Sequence, residues 1–262
     1  MESVIISPYP TFGQFNYYFA GDRSNYNALQ VELKKRLRHG LSFDANYTWG
    51  RNMAIESAGL LKEQAPQDNN DLDADYGPSP YDIRNNFIMN GVWNLPISDW
   101  SGIRNGAAKK LVDGWQFSGL FIAQTGSPNN IEDGNSSYPS DRPDPVPGVN
   151  PYVGHFSISQ LQYLNPAAYS NPALSVASGA QIRPGLLSRN SISNPRVINL
   201  NASLAKSIRF ADRVDFKLHM DAFNALNHTI LGGLDTSTTD GNFGQLTSAT
   251  ARTVQIGGKV TF

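Results

Sequence analysis

The sequence predicts an all-β protein built as an antiparallel, up-and-down sheet of long strands. Three observations indicate this fold class. Apolar and polar residues alternate with a period of two in several segments, short and long connections alternate along the chain, and aromatic residues make up 11% of a chain with 23 glycines and 16 prolines. Because a strand points successive side chains to opposite faces, the alternation predicts strands with one apolar and one polar face.

Seven segments carry this alternation. The clearest is Leu41–Trp49, LSFDANYTW, in which every second residue is apolar or aromatic and the residues between them are polar. An eighth strand is expected in Gln14–Ala20. The seven predicted strands span about 26–37, 41–49, 84–95, 115–125, 196–208, 213–225 and 252–262.

Long connections alternate with shorter ones along the whole chain. The long ones are 50–82, 126–194 and 227–251, and they contain polar, non-periodic stretches at 68–75 and 136–147 that are expected to be exposed. Tight turns on one rim and long loops on the other are typical of outer-membrane barrels. Compact soluble domains seldom carry structureless connections of more than about 15 residues.

Two architectures stay open on the alternation alone: a membrane barrel and a soluble β-sandwich. In the barrel the apolar face meets lipid and the polar face lines a lumen, whereas in the sandwich the apolar face is buried. Strands of about nine to eleven residues are long enough to cross a bilayer. Trp49, Trp93 and Trp115 lie at or near strand ends, where an aromatic girdle would place them. These observations favour the barrel.

The barrel interpretation assigns each alternating set to one side. The residues predicted to face lipid are Leu41, Phe43, Tyr47, Trp49, Phe87, Trp93, Trp115, Phe117, Phe216 and Leu218. Those predicted to face the lumen are Asp44, Asn46, Asp215, Lys217, His219 and Asp221.

Composition excludes several function classes. The 21 Lys and Arg against 22 Asp and Glu give no basic excess for nucleic-acid binding, and the absence of cysteine excludes disulfides and thiolate metal sites. No catalytic constellation or cofactor motif appears, so we expect a protein that is not an enzyme and needs no cofactor. His39, His155, His219 and His228 are scattered without metal-binding spacing.

One weak metal candidate is the acidic stretch Asp71, Asp73 and Asp75. Its spacing resembles the start of a calcium loop, but Tyr76 takes the place of the glycine and no glutamate closes the loop. We therefore expect a solvated loop here rather than a metal site.

Several blocks in order resemble the C-terminal barrel region of TonB-dependent receptors, and are most similar to the Oar-like subfamily with a carboxypeptidase-regulatory-like domain. They include YNALQVELKKRLRHGLSFDANYTWGR, YDIRNNFIMNGVWNLP, DGWQFSGLFIAQTGSP and VDFKLHMDAFNALNH, and the similarity runs from about Pro8 to Phe262. The resemblance implies an outer-membrane barrel of about 22 strands with a plug. It also implies energy from a TonB complex, and Phe262 as part of the signal read by the barrel-assembly machinery.

Seven or eight strands are fewer than this barrel needs, and the sequence shows no plug domain, TonB box or signal peptide. We therefore expect the C-terminal segment of a longer receptor, reaching the TonB complex through a region N-terminal to this sequence. Unpaired strand edges are costly in lipid. A closed eight-stranded barrel is the alternative, and its interior would be filled by side chains.

The expected function is uptake of a large, scarce solute, not identifiable from the sequence, across the bacterial outer membrane. Its expected partners are outer-membrane lipid, the assembly machinery and the TonB complex. The alternative is a soluble or surface β-sandwich module that binds carbohydrate.

Overall fold

The computed structural model describes residues 23–55, 66–68, 71–134, 141–211 and 214–262. The strand expected at Gln14–Ala20 lies outside these residues. The described strands, in chain order, are β1 (Ser24–Arg38), β2 (Leu41–Ala54), β3 (Gly77–Pro78), β4 (Asn85–Leu95), β5 (Trp115–Gln124), β6 (Pro128–Asn129), β7 (Asp144–Pro145), β8 (Tyr169–Ser170), β9 (Ile192–Ser193), β10 (Val197–Ala211), β11 (Val214–Phe223), β12 (Ile230–Leu234), β13 (Leu246–Thr250) and β14 (Thr253–Thr261).

The seven long strands form one antiparallel sheet in the order β1, β2, β4, β5, β10, β11, β14, with the short β3 paired to the end of β2. Every long strand pairs with its neighbours in sequence, which is the up-and-down arrangement expected. The sheet is open in the described part of the chain, because β1 and β14 each pair on one side only. A closed eight-stranded barrel is therefore not observed there.

The first turn shows why the chain reverses so tightly. His39 and Gly40 connect β1 to β2, and both have positive φ angles, of 52° and 76°. A side-chain carbon on Gly40 would lie 2.5 Å from the carbonyl oxygen of Asn94, so the turn also requires the close approach that only glycine allows. This turn defines the tight-turn rim of the sheet.

The register places the alternating sets on opposite faces. Leu41, Phe43 and Tyr47 lie across from Trp93, Gly91 and Phe87. The same face continues through Phe121, Leu200 and Met220 to Ile256. One apolar face therefore runs across the sheet, with the polar face behind it.

The buried hydrophobic core lies in the long loops and not on the sheet. It consists of Ile131, Leu164, Leu187, Ile192 and Phe243, with Tyr152, Tyr163, Tyr169 and Leu234 packed against it. We call the folded connections between β2 and β4, β5 and β10, and β11 and β14 the loop layer. It covers the rim opposite the tight turns.

The loop layer corrects the expectation of exposed, non-periodic loops. Asp75, Asp141 and Arg142 are buried, although they come from the two polar stretches expected to be exposed. The hairpin β12–β13, the pairs β6–β9 and β7–β8, and the 3-10 helices Leu72–Asp75 and Pro166–Ala168 give these connections regular structure. Asp75 and Arg142 pair with each other there, as buried charged groups usually do in folded proteins.

The β4–β5 connection at the tight-turn rim contains two short helices, α1 (Ile97–Ser101) and α2 (Gly106–Val112). Within the described residues, no helix has the length and hydrophobicity to span a membrane. Strand β2 also extends to Ala54, beyond the predicted end at residue 49, because β1 offers it a partner as far as Ser24.

Candidate functional site

A cleft of about 1110 Å³ lies where the loop layer meets the ends of the strands. Its walls come from β2, from the residues just before β4 and β10, from the residues after β5 and β11, and from the loop layer above. The up-and-down order brings these positions together, because each long strand has one of its two ends on this rim. The cleft opens at the loop-bearing end of the sheet.

Three arginines line the cleft: Arg51, Arg84 and Arg196. Only Arg51 has an ion-pair partner among the described residues, since its guanidinium lies 3.0 Å from Asp82. Arg84 is half-buried and Arg196 is exposed, and neither forms an ion pair in that part of the chain. The cleft therefore carries more positive than negative charge.

Asp82 fixes one wall of the cleft. Its side chain is 3% exposed and accepts hydrogen bonds from the Asn52 amide at 2.6 Å and from Arg51 at 3.0 Å. Ser79 donates to the carbonyl oxygen of Asn52 at 2.9 Å, which ties the β3 region to the end of β2. The buried carboxylate of Asp82 thus holds the Arg51 guanidinium in place at the cleft wall.

His228 lines the opposite wall in the turn after β11. Asn224 holds this turn, because its side chain accepts from the His228 amide at 3.1 Å and donates to the His228 carbonyl oxygen at 2.9 Å. The Nδ1 atom of His228 is buried and makes no hydrogen bond within the described structure. A ligand or water that reached this nitrogen would satisfy it.

Two tyrosines join the cleft to the loop core. The Tyr163 hydroxyl donates to the Ser193 carbonyl oxygen at 3.2 Å, and the Ser193 amide donates to the Tyr152 hydroxyl at 2.8 Å. Their rings pack edge to face, with centroids 5.3 Å apart. Burial, with a smaller effect of Tyr152, raises the pKa of Tyr163 to about 12.

A second, shallower hollow of about 450 Å³ lies over the polar face of the sheet. Asp221 lines it, together with Asn90, Ser118 and Ser203 from the neighbouring strands. The other residues predicted to face the lumen share this polar face through the register, which pairs Asp215 with Thr261, Lys217 with Lys259 and His219 with Gly257. On β2, Asp44 accepts from Asn46 at 2.6 Å and pairs with Lys34 at 3.1 Å.

The residues predicted to face lipid lie on the opposite face from these. The register pairs Leu41 with Trp93, Tyr47 with Phe87 and Phe216 with Val260. It also pairs Trp93 with Phe117, and places Trp49 across from the first residue of β4. All ten residues therefore belong to one face, and the assignment of that face to lipid stays a prediction.

The three acidic residues of the weak metal candidate have separate partners. Asp71 accepts from the Ala74 amide at 3.3 Å, and Asp73 pairs with Arg23 at 3.0 Å. Asp75 is buried and pairs with Arg142 at 2.5 Å. The burial of Asp75 corrects the expectation of a solvated loop. No cluster of three or more metal-ligating side chains occurs in the described residues.

The sequence that forms this one-sided apolar sheet and its roofed cleft also matches a known family. The family model for an outer membrane beta barrel domain matches residues 5–255. The chain belongs to this family. A search of curated proteins finds no match. The barrel domain is therefore a protein of the bacterial outer membrane.

Sequence reasoning did not single out the cleft arginines of the barrel domain. Arg84 and Arg196 each immediately precede a long strand, and Arg51 lies near the end of β2. All three positions map to the same rim once the up-and-down order is assumed. A search for basic residues at strand ends on the long-loop rim would have found them.

Proposed function

We propose that the barrel domain is the C-terminal barrel segment of an Oar-like TonB-dependent receptor that imports a large, scarce solute. The observation that supports this proposal best is the sheet itself, a meander with one continuous apolar face and a concave polar face. Such a sheet matches a wall between lipid and lumen.

The cleft contributes a place where solute can be held before passage. Arginines present several hydrogen-bond donors with positive charge, and the amides of Asn190, Asn194 and Asn227 line the same opening. The site therefore suits a solute with anionic or hydrogen-bonding groups. We propose transport and not catalysis, with no cofactor.

The β-sandwich alternative needs a second layer over the apolar face. Among the described residues the β4–β5 connection packs on part of that face through Trp100, but Leu33 and Ile256 remain 61% and 70% exposed. A soluble module would leave this large apolar surface in water, which is unfavourable. No observation favours a carbohydrate-binding module over the barrel segment.

Localisation is the first test of the proposal. We expect the chain, expressed with a cleavable export signal alongside the remainder of its receptor, to fractionate with outer membranes and to change its gel migration on heating. A soluble, monomeric product with the same secondary structure would contradict the barrel proposal.

Uptake is the second test. Cells that express the receptor would be given three labelled probes, a ferric siderophore, an oligosaccharide and a peptide, with and without an uncoupler of the proton gradient. We expect one class to accumulate and the accumulation to stop with the uncoupler. Accumulation that persists would indicate a passive channel, and Arg84→Gln with Arg196→Gln would test whether the cleft holds the solute.

A further inference from the structure

The two helices of the β4–β5 connection form one compact unit, which we call the helix pair (residues 97–112). Asp113 holds it together, because its carboxylate accepts from the Ser98 amide at 2.9 Å and from the Ser98 hydroxyl at 2.8 Å. Lys109 donates to the same hydroxyl at 2.8 Å and lies 3.4 Å from Asp113. The hydrogen bonds from Ser98 lower the pKa of Asp113. Helices this short would not persist without such ties.

The helix pair is attached to the apolar face of the sheet. The rings of Trp100 and Trp93 pack edge to face with centroids 5.6 Å apart, and Trp93 belongs to the apolar face. The Lys206 ammonium, on the same face beside Trp115, donates to the carbonyl oxygens of Leu111, at 2.8 Å, and of Asp113. The apolar face therefore continues onto the helix pair at the tight-turn rim.

The outer surface of the helix pair combines apolar side chains with an excess of positive charge, because residues 97–112 contain three basic residues and one exposed acidic residue, Asp99. Trp100 and Leu111 are 61% and 68% exposed, although both are large and apolar. Arg104 and Lys110 are also exposed, and neither is in an ion pair within the described residues. Tryptophan and leucine beside free cations are typical of segments that lie in a bilayer interface.

We propose that the helix pair binds the phospholipid surface of the periplasmic leaflet. Trp100 and Leu111 insert at the boundary of acyl chains and headgroups, and Arg104 and Lys110 contact the headgroup phosphates. This inference rests on the proposed function, which places lipid against the apolar face and the tight turns on the periplasmic side. Continuity with that face and the complementary charge both select a phospholipid surface as the occupant.

Single cysteines test the proposal, because the chain has none of its own. Leu111→Cys reports on the helix pair, Leu218→Cys on the apolar strand face, and Val176→Cys, at a fully exposed loop-layer position, on water. Each variant, folded together with the remainder of its receptor after any cysteine there is replaced by serine, would be labelled with a polarity-sensitive fluorophore and inserted into vesicles of phosphatidylcholine with or without phosphatidylglycerol. Quenching would be measured with lipids spin-labelled near the headgroup and with aqueous iodide.

We expect the label at position 111 to be quenched by the shallow spin-labelled lipid and to be severalfold less accessible to iodide than the label at 176. Phosphatidylglycerol should strengthen the lipid quenching, and Arg104→Gln with Lys110→Gln should remove that increase. If phosphatidylglycerol has no effect, the assignment of the two cations to phosphates is wrong.

The remaining outcomes separate this inference from the proposed function. Lipid quenching at 218 with full iodide access at 111 would overturn the helix-pair inference alone. Protection from iodide at 111 without lipid quenching would mean that a protein surface covers the helix pair, and would also overturn it. Absence of lipid quenching at 218 would overturn the lipid-facing assignment of the strands, and the inference with it.

Discussion

The sheet and the loop layer are stabilised in different ways. The long strands expose their apolar side chains, as at Leu33 and Ile256, and contribute few buried hydrophobic residues. The loop layer buries Ile131, Leu164 and Ile192 almost completely within its own fold. In this protein the loops carry a core like that of a soluble domain, whereas the strands depend on what surrounds them. Changes in the two regions should therefore have different consequences.

The largest effect is expected at the buried ion pair of the loop layer. Arg142 and Asp75 both have side chains that are 3% exposed, so Arg142→Met would leave an uncompensated buried carboxylate. We expect a loss of about 3–5 kcal/mol in the stability of the loop layer. Hydrogen exchange should show faster exchange in the loop layer and unchanged protection in the strands.

The matched control for this change is Arg183→Met. Arg183 pairs with Asp144 at 2.7 Å, but its side chain is 44% exposed. An exposed pair contributes less than about 1 kcal/mol. Equal losses for the two variants would mean that burial does not distinguish the loop-layer pairs.

The next effect concerns the apolar core of the same layer. Leu164 is fully buried, so Leu164→Ala should leave a cavity and destabilise the loop layer by about 2–5 kcal/mol. Limited proteolysis would detect this as faster cleavage within the loops. Leu186→Ala, at an exposed position, should change stability by no more than about 0.5 kcal/mol.

A lysine placed on one or the other face of the sheet tests the strands, the second of the two regions. Met89→Lys, on the apolar face at the middle of β4, should destabilise the inserted protein by about 2–4 kcal/mol, because a charge near the bilayer midplane is costly. Ser203→Lys, on the polar face near the 450 Å³ hollow, should have little effect. Folding into vesicles at a series of urea concentrations would measure both. A larger loss for Ser203→Lys would reverse the assignment of the faces.

The smallest effect is a pH dependence of the loop layer. Because burial raises the pKa of Tyr163 from 10.0 to about 12, the folded state favours the neutral phenol. The resulting stability is fully present below pH 10 and is lost as the pH rises through about 12. Ultraviolet absorbance should show a late phenolate transition near pH 12 from Tyr163, followed by that of Tyr169, whose pKa burial raises further, together with loosening of the loops. Tyr163→Phe should remove the transition near pH 12 and leave the later one of Tyr169, and Tyr81→Phe, at an exposed position, should retain both.

The strands and their faces could be predicted from the sequence because each is encoded locally. A period of two in Leu41–Trp49 already fixes which side chains share a face, and the meander then aligns these faces between neighbours. The end of β2 was missed, because Gly50–Ala54 lacks alternation and is a strand through its pairing with β1 and, at its last two residues, with β3. The partner was encoded elsewhere in the chain.

The loop core and the cleft could not be predicted in this way. Ile131, Leu164 and Phe243 come from separate connections with no common period, so nothing local marks them as neighbours. The burial of Asp75 depends on Arg142, which lies in a different connection. The three cleft arginines are distant in the sequence and come together only because the strand ends that carry them lie on the same rim. These features depend on tertiary contacts, and the sequence pattern reports only secondary structure.

The loop core joins residues as far apart in the sequence as Ile131 and Phe243, and this separation affects the order of assembly. Contacts between distant parts of a chain form slowly, since a long loop must close before they can add stability. The neighbouring strands can pair one hairpin at a time, but the roof of the cleft is incomplete until the hairpin β12–β13 arrives. We therefore expect the loop-bearing end of the sheet to be completed late, after most of the chain has folded.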